Sequence, residues 1–134
     1  MNFRYAVFSL AALLSLIAAP ALAAEESPRL SVLFLGDAGH HQPEARASQL
    51  IPVMAGRGID IRYTDDIHDL NPENLAKFDA LIIYANIEQI QPREEQALLD
   101  YVASGRGFVP IHCASYCFLN SPKYIALVGG QFQR

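Results

Sequence analysis

Three of the four histidines in this chain stand just after short apolar runs, where buried strands are expected to end. His40 and His41 follow the first such run through a loop with two glycines, and His112 follows the last run and directly precedes Cys113. The carboxyl ends of parallel strands share one edge of a sheet, so these side chains are expected to lie together. Imidazole suits proton transfer near neutral pH and the binding of borderline metals. The polar residues that the same edge would add are Asp37, Asn86, Glu88 and Ser115.

One hypothesis for this edge is a divalent metal such as zinc. A zinc site needs three or four ligands at about 2.0–2.3 Å. His40 or His41, with His112 and Asp37, could supply them, although no dense ligand motif fixes that geometry. His40 and His112 are the predicted metal ligands.

A second hypothesis makes Cys113 a nucleophile with a histidine as its base. The chain has no G-x-S-x-G motif and no cysteine analogue of it, because Pro110 occupies the first glycine position. In that frame His112 occupies the turn position and Cys113 lies one residue beyond it, so a cysteine hydrolase is disfavoured. Cys113 and Cys117 are the only cysteines, and both a disulfide and two buried free thiols stay open.

Each candidate also has a purely structural interpretation. His40 and His41 could be solvated loop residues, and His112 could be a hydrogen-bonded histidine at a strand end. Asp37 and Asn86 could serve the turns that follow their strands. The remaining histidine, His68, lies in an Asp-rich loop and is predicted to be solvated.

The composition limits the function classes. The formal net charge is −4 and no basic run is present, so nucleic acid is not expected as a partner. The first 23 residues carry Arg4, a long apolar stretch and an A-x-A ending, which predicts a secretory signal peptide cleaved after Ala23. The product is expected in the periplasm or outside the cell, free of the membrane after cleavage. Residues 24–134 suffice for one domain.

Alternating strand-like and helix-like segments must position the candidate residues. The strongest apolar runs, Leu30–Leu35 and Ala80–Ala85, are typical of strands covered on both faces. Two further strand-like segments and intervening helical patterns complete a β-α-β-α-β-α-β-α order. This order predicts a flavodoxin-like, three-layer α/β/α fold with a parallel sheet in the order 2-1-3-4.

Several stretches of the chain resemble the ThuA-like, or trehalose-utilisation, family of the class I glutamine amidotransferase-like group. They are Val32–Gly36 leading to Gly39 and His40, Phe78–Ile83, Gly105–Ala114, and Gly129–Phe132. The resemblance implies a flavodoxin-like sheet, a role in carbohydrate metabolism, and His40, His112 and Asn86 as site residues. It also implies a domain that continues past Arg134, so the chain is expected to be an N-terminal part of such a domain.

The leading hypothesis is therefore an exported ThuA-like domain that binds or transforms a small sugar derivative at a histidine-bearing edge of its sheet. His112 and Cys113 are its catalytic candidates, and Asp37, His40, His41, Asn86 and Ser115 are its substrate-binding candidates. The first alternative is a non-catalytic carbohydrate-binding module. The second is a cysteine-dependent, amidotransferase-like hydrolase. The sequence leaves the sugar, the reaction and the oligomeric state open.

Overall fold

The computed structural model describes residues 28–133, and the predicted signal peptide lies outside them. Helices and strands alternate along the described chain, and two short 3-10 turns, Ile67–Asp69 and His112–Tyr116, follow the second and fourth strands. The elements are β1 (Leu30–Leu35), α1 (Pro43–Ala55), β2 (Ile59–Thr64), α2 (Pro72–Leu75), β3 (Ala80–Ile83), α3 (Pro92–Ala103), β4 (Gly107–Pro110) and α4 (Pro122–Val128).

The strands form one parallel sheet in the order β2-β1-β3-β4. In register, Leu33 of β1 lies between Arg62 of β2 and Leu81 of β3, and Ile82 of β3 pairs with Val109 of β4. The predicted α/β fold, its parallel sheet and the strand order 2-1-3-4 are confirmed. The order places β1 and β3 at the centre, where their apolar runs are covered most completely.

Local sequence signals start the helices. Each helix begins with a proline, whose missing N–H is no loss in the first turn. The side chains of Asn71 and Ser121 cap α2 and α4 by accepting hydrogen bonds from the backbone N–H groups of Asn74 and Tyr124. In α1 the helix continues past Pro52 for one turn and ends at Ala55.

The main hydrophobic core lies on one face of the sheet. There Leu33, Leu35, Leu81 and Ile83 are fully buried in one cluster with apolar residues of α2, α3, α4 and the turn after β4. Burying one such side chain contributes about 1.5–3 kcal/mol. The opposite side of β1 is buried as well, as both faces of a central parallel strand should be.

β4 is the more exposed edge strand, with Val109 44% exposed. Its carboxyl end nevertheless meets those of β1 and β3, so the loops after these three strands lie on one edge of the sheet. Among residues 28–133, no helix has the length and apolar character needed to cross a membrane.

Candidate functional site

The chain makes a sharp turn at His112, directly after β4. Ile111 is still extended, and its N–H donates to the carbonyl of Ile83 at 2.9 Å. His112 then has a φ of 50°, in the left-handed region, and begins the 3-10 turn that runs to Tyr116. This conformation costs an L-residue about 1–2 kcal/mol, and such strain is common at functional sites. The turn directs the main chain into the next segment at the edge where the neighbouring strands also end.

Three imidazole rings meet at this edge. His40 and His41 come from the loop after β1, and their ring centroids are 3.9 Å apart. The His41 and His112 centroids are 4.7 Å apart, with the rings nearly perpendicular. Tyr84, directly after β3, has its ring centroid about equally far from those of His41 and His112, at 6.1 and 6.0 Å. We call His40, His41 and His112 the histidine cluster.

The cluster affects the protonation of its central member. Partial removal from water lowers the pKa of His41 below its usual value, and the neighbouring charges of His40 and His112 lower this pKa further. The negative charge of Asp37 opposes these effects. His41 therefore favours the neutral form near pH 7, in which one ring nitrogen can accept a proton.

Asp37 fastens two of the loops to each other. Its Oδ1 accepts the N–H of Gly39 at 2.7 Å, and its Oδ2 accepts a short hydrogen bond from the N–H of Asn86. Both oxygens thus hold backbone groups, one in the loop after β1 and one in the loop after β3. Asp37 does not line the adjacent cavity, and its hydrogen bonds position the two loops that contribute His40, His41 and Asn86 to it.

A cavity of about 270 Å³ opens beside the histidine cluster. This volume is slightly below the range of about 300–1,000 Å³ that is usual for drug-sized ligands, so it suits a ligand of monosaccharide size. The lining contains six of the seven residues that the sequence predicts for the site, together with two aromatic residues that it does not: His40, His41, Asn86, His112, Cys113, Ser115, Tyr116 and Phe132.

The two unpredicted aromatic residues come from the segments that follow β4. Tyr116 ends the 3-10 turn, and Phe132 follows the glycine pair after α4. The Phe132 N–H donates to the carbonyl of Ser115 at 3.0 Å, which attaches the end of the described chain to the site. The only sequence signal for Phe132 is its place in the Gly129–Phe132 motif.

The two cysteines are free thiols, and both are buried. Burial raises the pKa of Cys113, and the negative charge of Asp37 adds to this effect. Burial raises the pKa of Cys117 to about 12, and its Sγ donates to the carbonyl of Ala85 at 2.8 Å. Because the thiolate is the reactive form, a raised pKa weakens Cys113 as a nucleophile. No disulfide joins Cys113 to Cys117, so the disulfide alternative is wrong and the free-thiol alternative is confirmed.

The described residues give no support to the zinc hypothesis. Within residues 28–133, no group of three or more histidine, cysteine or acidic residues is arranged to hold a metal ion. The third ligand that the sequence offers beside His40 and His112 is Asp37, whose two oxygens already accept backbone hydrogen bonds. A zinc site needs at least three protein ligands.

His68 lies outside the cavity lining and has a partner of its own. Its side chain is 72% exposed, as the sequence predicts, but its Nδ1 is 2.9 Å from Oε1 of the buried Glu94 at the start of α3. The hydrogen bond between His68 and Glu94 raises the pKa of His68, and the same bond lowers the pKa of Glu94. This pair connects the turn after β2 to α3.

The parallel sheet in the order 2-1-3-4, flanked by helices, defines a flavodoxin-like α/β protein. The family model described as ThuA, trehalose utilisation, matches residues 31–134, and the chain belongs to this family. Membership supports a role related to carbohydrate metabolism.

A solved structure agrees with the fold. The chain is similar to the crystal structure of a ThuA-like protein from Bacteroides uniformis, with a TM-score of 0.65 and 24% sequence identity. The similarity covers 84% of this chain and 48% of the other, so this chain spans about half the length of that structure. A comparison with curated proteins gives no match.

Proposed function

We propose that this chain is an exported ThuA-like domain that binds a sugar derivative at the histidine cluster and accepts a proton from it. The observation that carries the proposal is the meeting of His41 and His112, at 4.7 Å between ring centroids, from loops far apart in the sequence. The cavity beside them has the size of a monosaccharide and is lined by side chains that can hydrogen-bond to hydroxyl groups. The family's link to trehalose utilisation supports a sugar as the ligand.

In the proposed complex, Asn86 and Ser115 hydrogen-bond to ligand hydroxyls and orient the ring. The neutral imidazole of His41 takes a proton from one hydroxyl, whose oxygen keeps the electron pair. The imidazolium that results lies in the field of Asp37, whose charge favours the protonated form of His41. His112, exposed at its strained turn, is placed to contact the same ligand.

In the proposed site Cys113 forms part of the cavity wall and does not act as a nucleophile. Its thiol is buried and its pKa is raised, both of which oppose formation of a thiolate. This observation argues against the amidotransferase-like hydrolase.

Calorimetric titration of the full chain with trehalose and with methyl α-D-glucopyranoside tests the proposal. We expect binding that weakens at least tenfold in His41→Gln and in His112→Asn, where asparagine tolerates the left-handed backbone. His68→Gln is the matched control, because His68 lies outside the cavity lining. Equal affinity in all three variants would contradict the proposed site. If the sugar binds but is recovered unchanged, the result would favour the alternative of a non-catalytic carbohydrate-binding module.

The export part of the proposal rests on the first 23 residues. Expression with the native N-terminus, followed by mass spectrometry of the protein outside the cytoplasm, is expected to show a chain beginning at Ala24. An uncleaved cytoplasmic product would contradict it.

A further inference from the structure

Two aromatic rings form part of the cavity and have no role in the proposed proton transfer. Phe132 is 60% exposed although it is a large apolar residue, and it lines the cavity together with Tyr116. Their ring centroids are 6.4 Å apart, and the planes cross at 71°. We call these two residues the aromatic pair.

The chain holds the aromatic pair in place through its backbone. α4 ends at Val128, and Gly129 after it turns the chain with a φ of 88°. Three residues later the Phe132 N–H donates to the Ser115 carbonyl at 3.0 Å. Ser115 and Tyr116 belong to the turn that His112 begins. The aromatic pair and His112 are therefore fastened to one short segment.

The chemistry of the lining restricts the ligand. The face of an aromatic ring carries partial negative charge and attracts weakly positive C–H groups. The residues that line the cavity in the described chain include no lysine or arginine, the side chains that usually bind phosphate. Ser115 donates its hydroxyl hydrogen to the His112 carbonyl at 3.2 Å, so its oxygen can accept a hydrogen bond from a ligand hydroxyl.

From these contacts we infer that the site takes an uncharged pyranose, and that one C–H face of this sugar ring packs on the ring of Phe132 while Tyr116 lies beside that contact. The inference rests on the proposed function and adds the class of sugar and the residues that select it. The axial C–H bonds of a glucopyranose form the two faces of its ring, while its hydroxyls project outward toward Asn86, Ser115 and the histidine cluster. Phe132 and Tyr116 are thus specificity-determining residues.

Proton NMR of three probes with the full chain tests this inference. Methyl α-D-glucopyranoside is expected to bind and to show upfield shifts of its axial C–H protons, because these protons lie over an aromatic face. D-Glucitol, which has hydroxyls but no ring, and glucose 6-phosphate, which is charged, are expected to bind at least tenfold more weakly.

Two variants of Phe132 distinguish the effect of its aromatic ring from that of an apolar side chain of any kind. Phe132→Leu is expected to weaken glucoside binding about 3- to 10-fold, the range of an aromatic contact, and to remove the upfield shifts. Phe132→Tyr keeps the ring and should keep the shifts. Val53→Ala, at a residue that is 52% exposed on α1 and outside the cavity lining, is the control for loss of an exposed apolar side chain.

The outcomes distinguish this inference from the proposal on which it rests. Unchanged binding in Phe132→Leu, with binding lost in His112→Asn, would overturn the aromatic contact and leave the histidine site standing. Tighter binding of glucose 6-phosphate than of the glucoside would overturn the uncharged class. Failure of the unaltered chain to bind any of the probes would overturn both.

Discussion

Replacing His112 by glycine and by alanine separates its backbone conformation from its side chain. Alanine keeps the Cβ that makes the φ of 50° unfavourable, whereas glycine removes it. Relief of a left-handed conformation is worth about 1–2 kcal/mol, and glycine loses about 0.5–1 kcal/mol through its greater freedom in the unfolded chain. Both variants lose the same imidazole contacts. We therefore expect His112→Gly to be more stable than His112→Ala by about 1 kcal/mol, while neither binds sugar with the affinity of the unaltered chain.

Thermal and urea unfolding followed by circular dichroism measure this difference. For a chain of this size, about 1 kcal/mol corresponds to a Tm difference of about 3–5 °C. The matched control is the same pair of substitutions at His40, which has no positive φ; there glycine should be the less stable variant. If His112→Ala is as stable as His112→Gly, the strained turn assigned to His112 is wrong.

Three further predictions concern residues around the site. Asp37→Asn should lower the free energy of unfolding by about 1–3 kcal/mol in urea titrations, because an amide presents a donor to one of the two N–H groups that Asp37 now accepts. His68→Gln should reduce the Tm at pH 6 but not at pH 9, since a raised histidine pKa gives stability below about 6.5 that disappears as pH rises through the folded value. In the native protein at pH 7, Cys113 and Cys117 should react with iodoacetamide far more slowly than in urea, because both thiols are buried and their pKa values are raised.

One outcome would contradict each of these three predictions. Stability of Asp37→Asn equal to that of the unaltered chain would mean that the carboxylate does not hold the two loops. A Tm loss in His68→Gln that is the same at pH 6 and pH 9 would show that its contact with Glu94 does not depend on protonation. Rapid native labelling of Cys113 would restore it as a nucleophile candidate.

The sequence predicts the fold because its apolar runs, and the glycine and proline residues between them, determine the order of strands and helices. Leu30–Leu35 is the predicted and the observed first strand. The third strand is predicted to reach Ala85 but ends at Ile83, where its pairing with Leu35 of β1 ends. The apolar run continues beyond Ile83 because Ala85 is buried in the core. Burial without strand pairing does not extend a strand, so the apolar run is longer than β3.

The sequence predicts the site only in part. The frame around Pro110 places His112 at the turn, and parallel strands bring the first loop to the same edge. Side-chain partners that lie far apart in the chain leave no periodic signal. For this reason the sequence misses the bond between Asp37 and the Asn86 backbone and the contact of His68 with Glu94. It also misses Phe132, which reaches the cavity only because its backbone returns to Ser115.

The most direct test of the histidine site follows the ring C–H resonances of all four histidines while the full chain is titrated with methyl α-D-glucopyranoside. We predict that the resonances of His40, His41 and His112 shift together with saturation at one affinity, and that His68 does not move. Resonances of the three cluster histidines that stay fixed while the sugar binds, or a shift confined to His68, would contradict the proposed site.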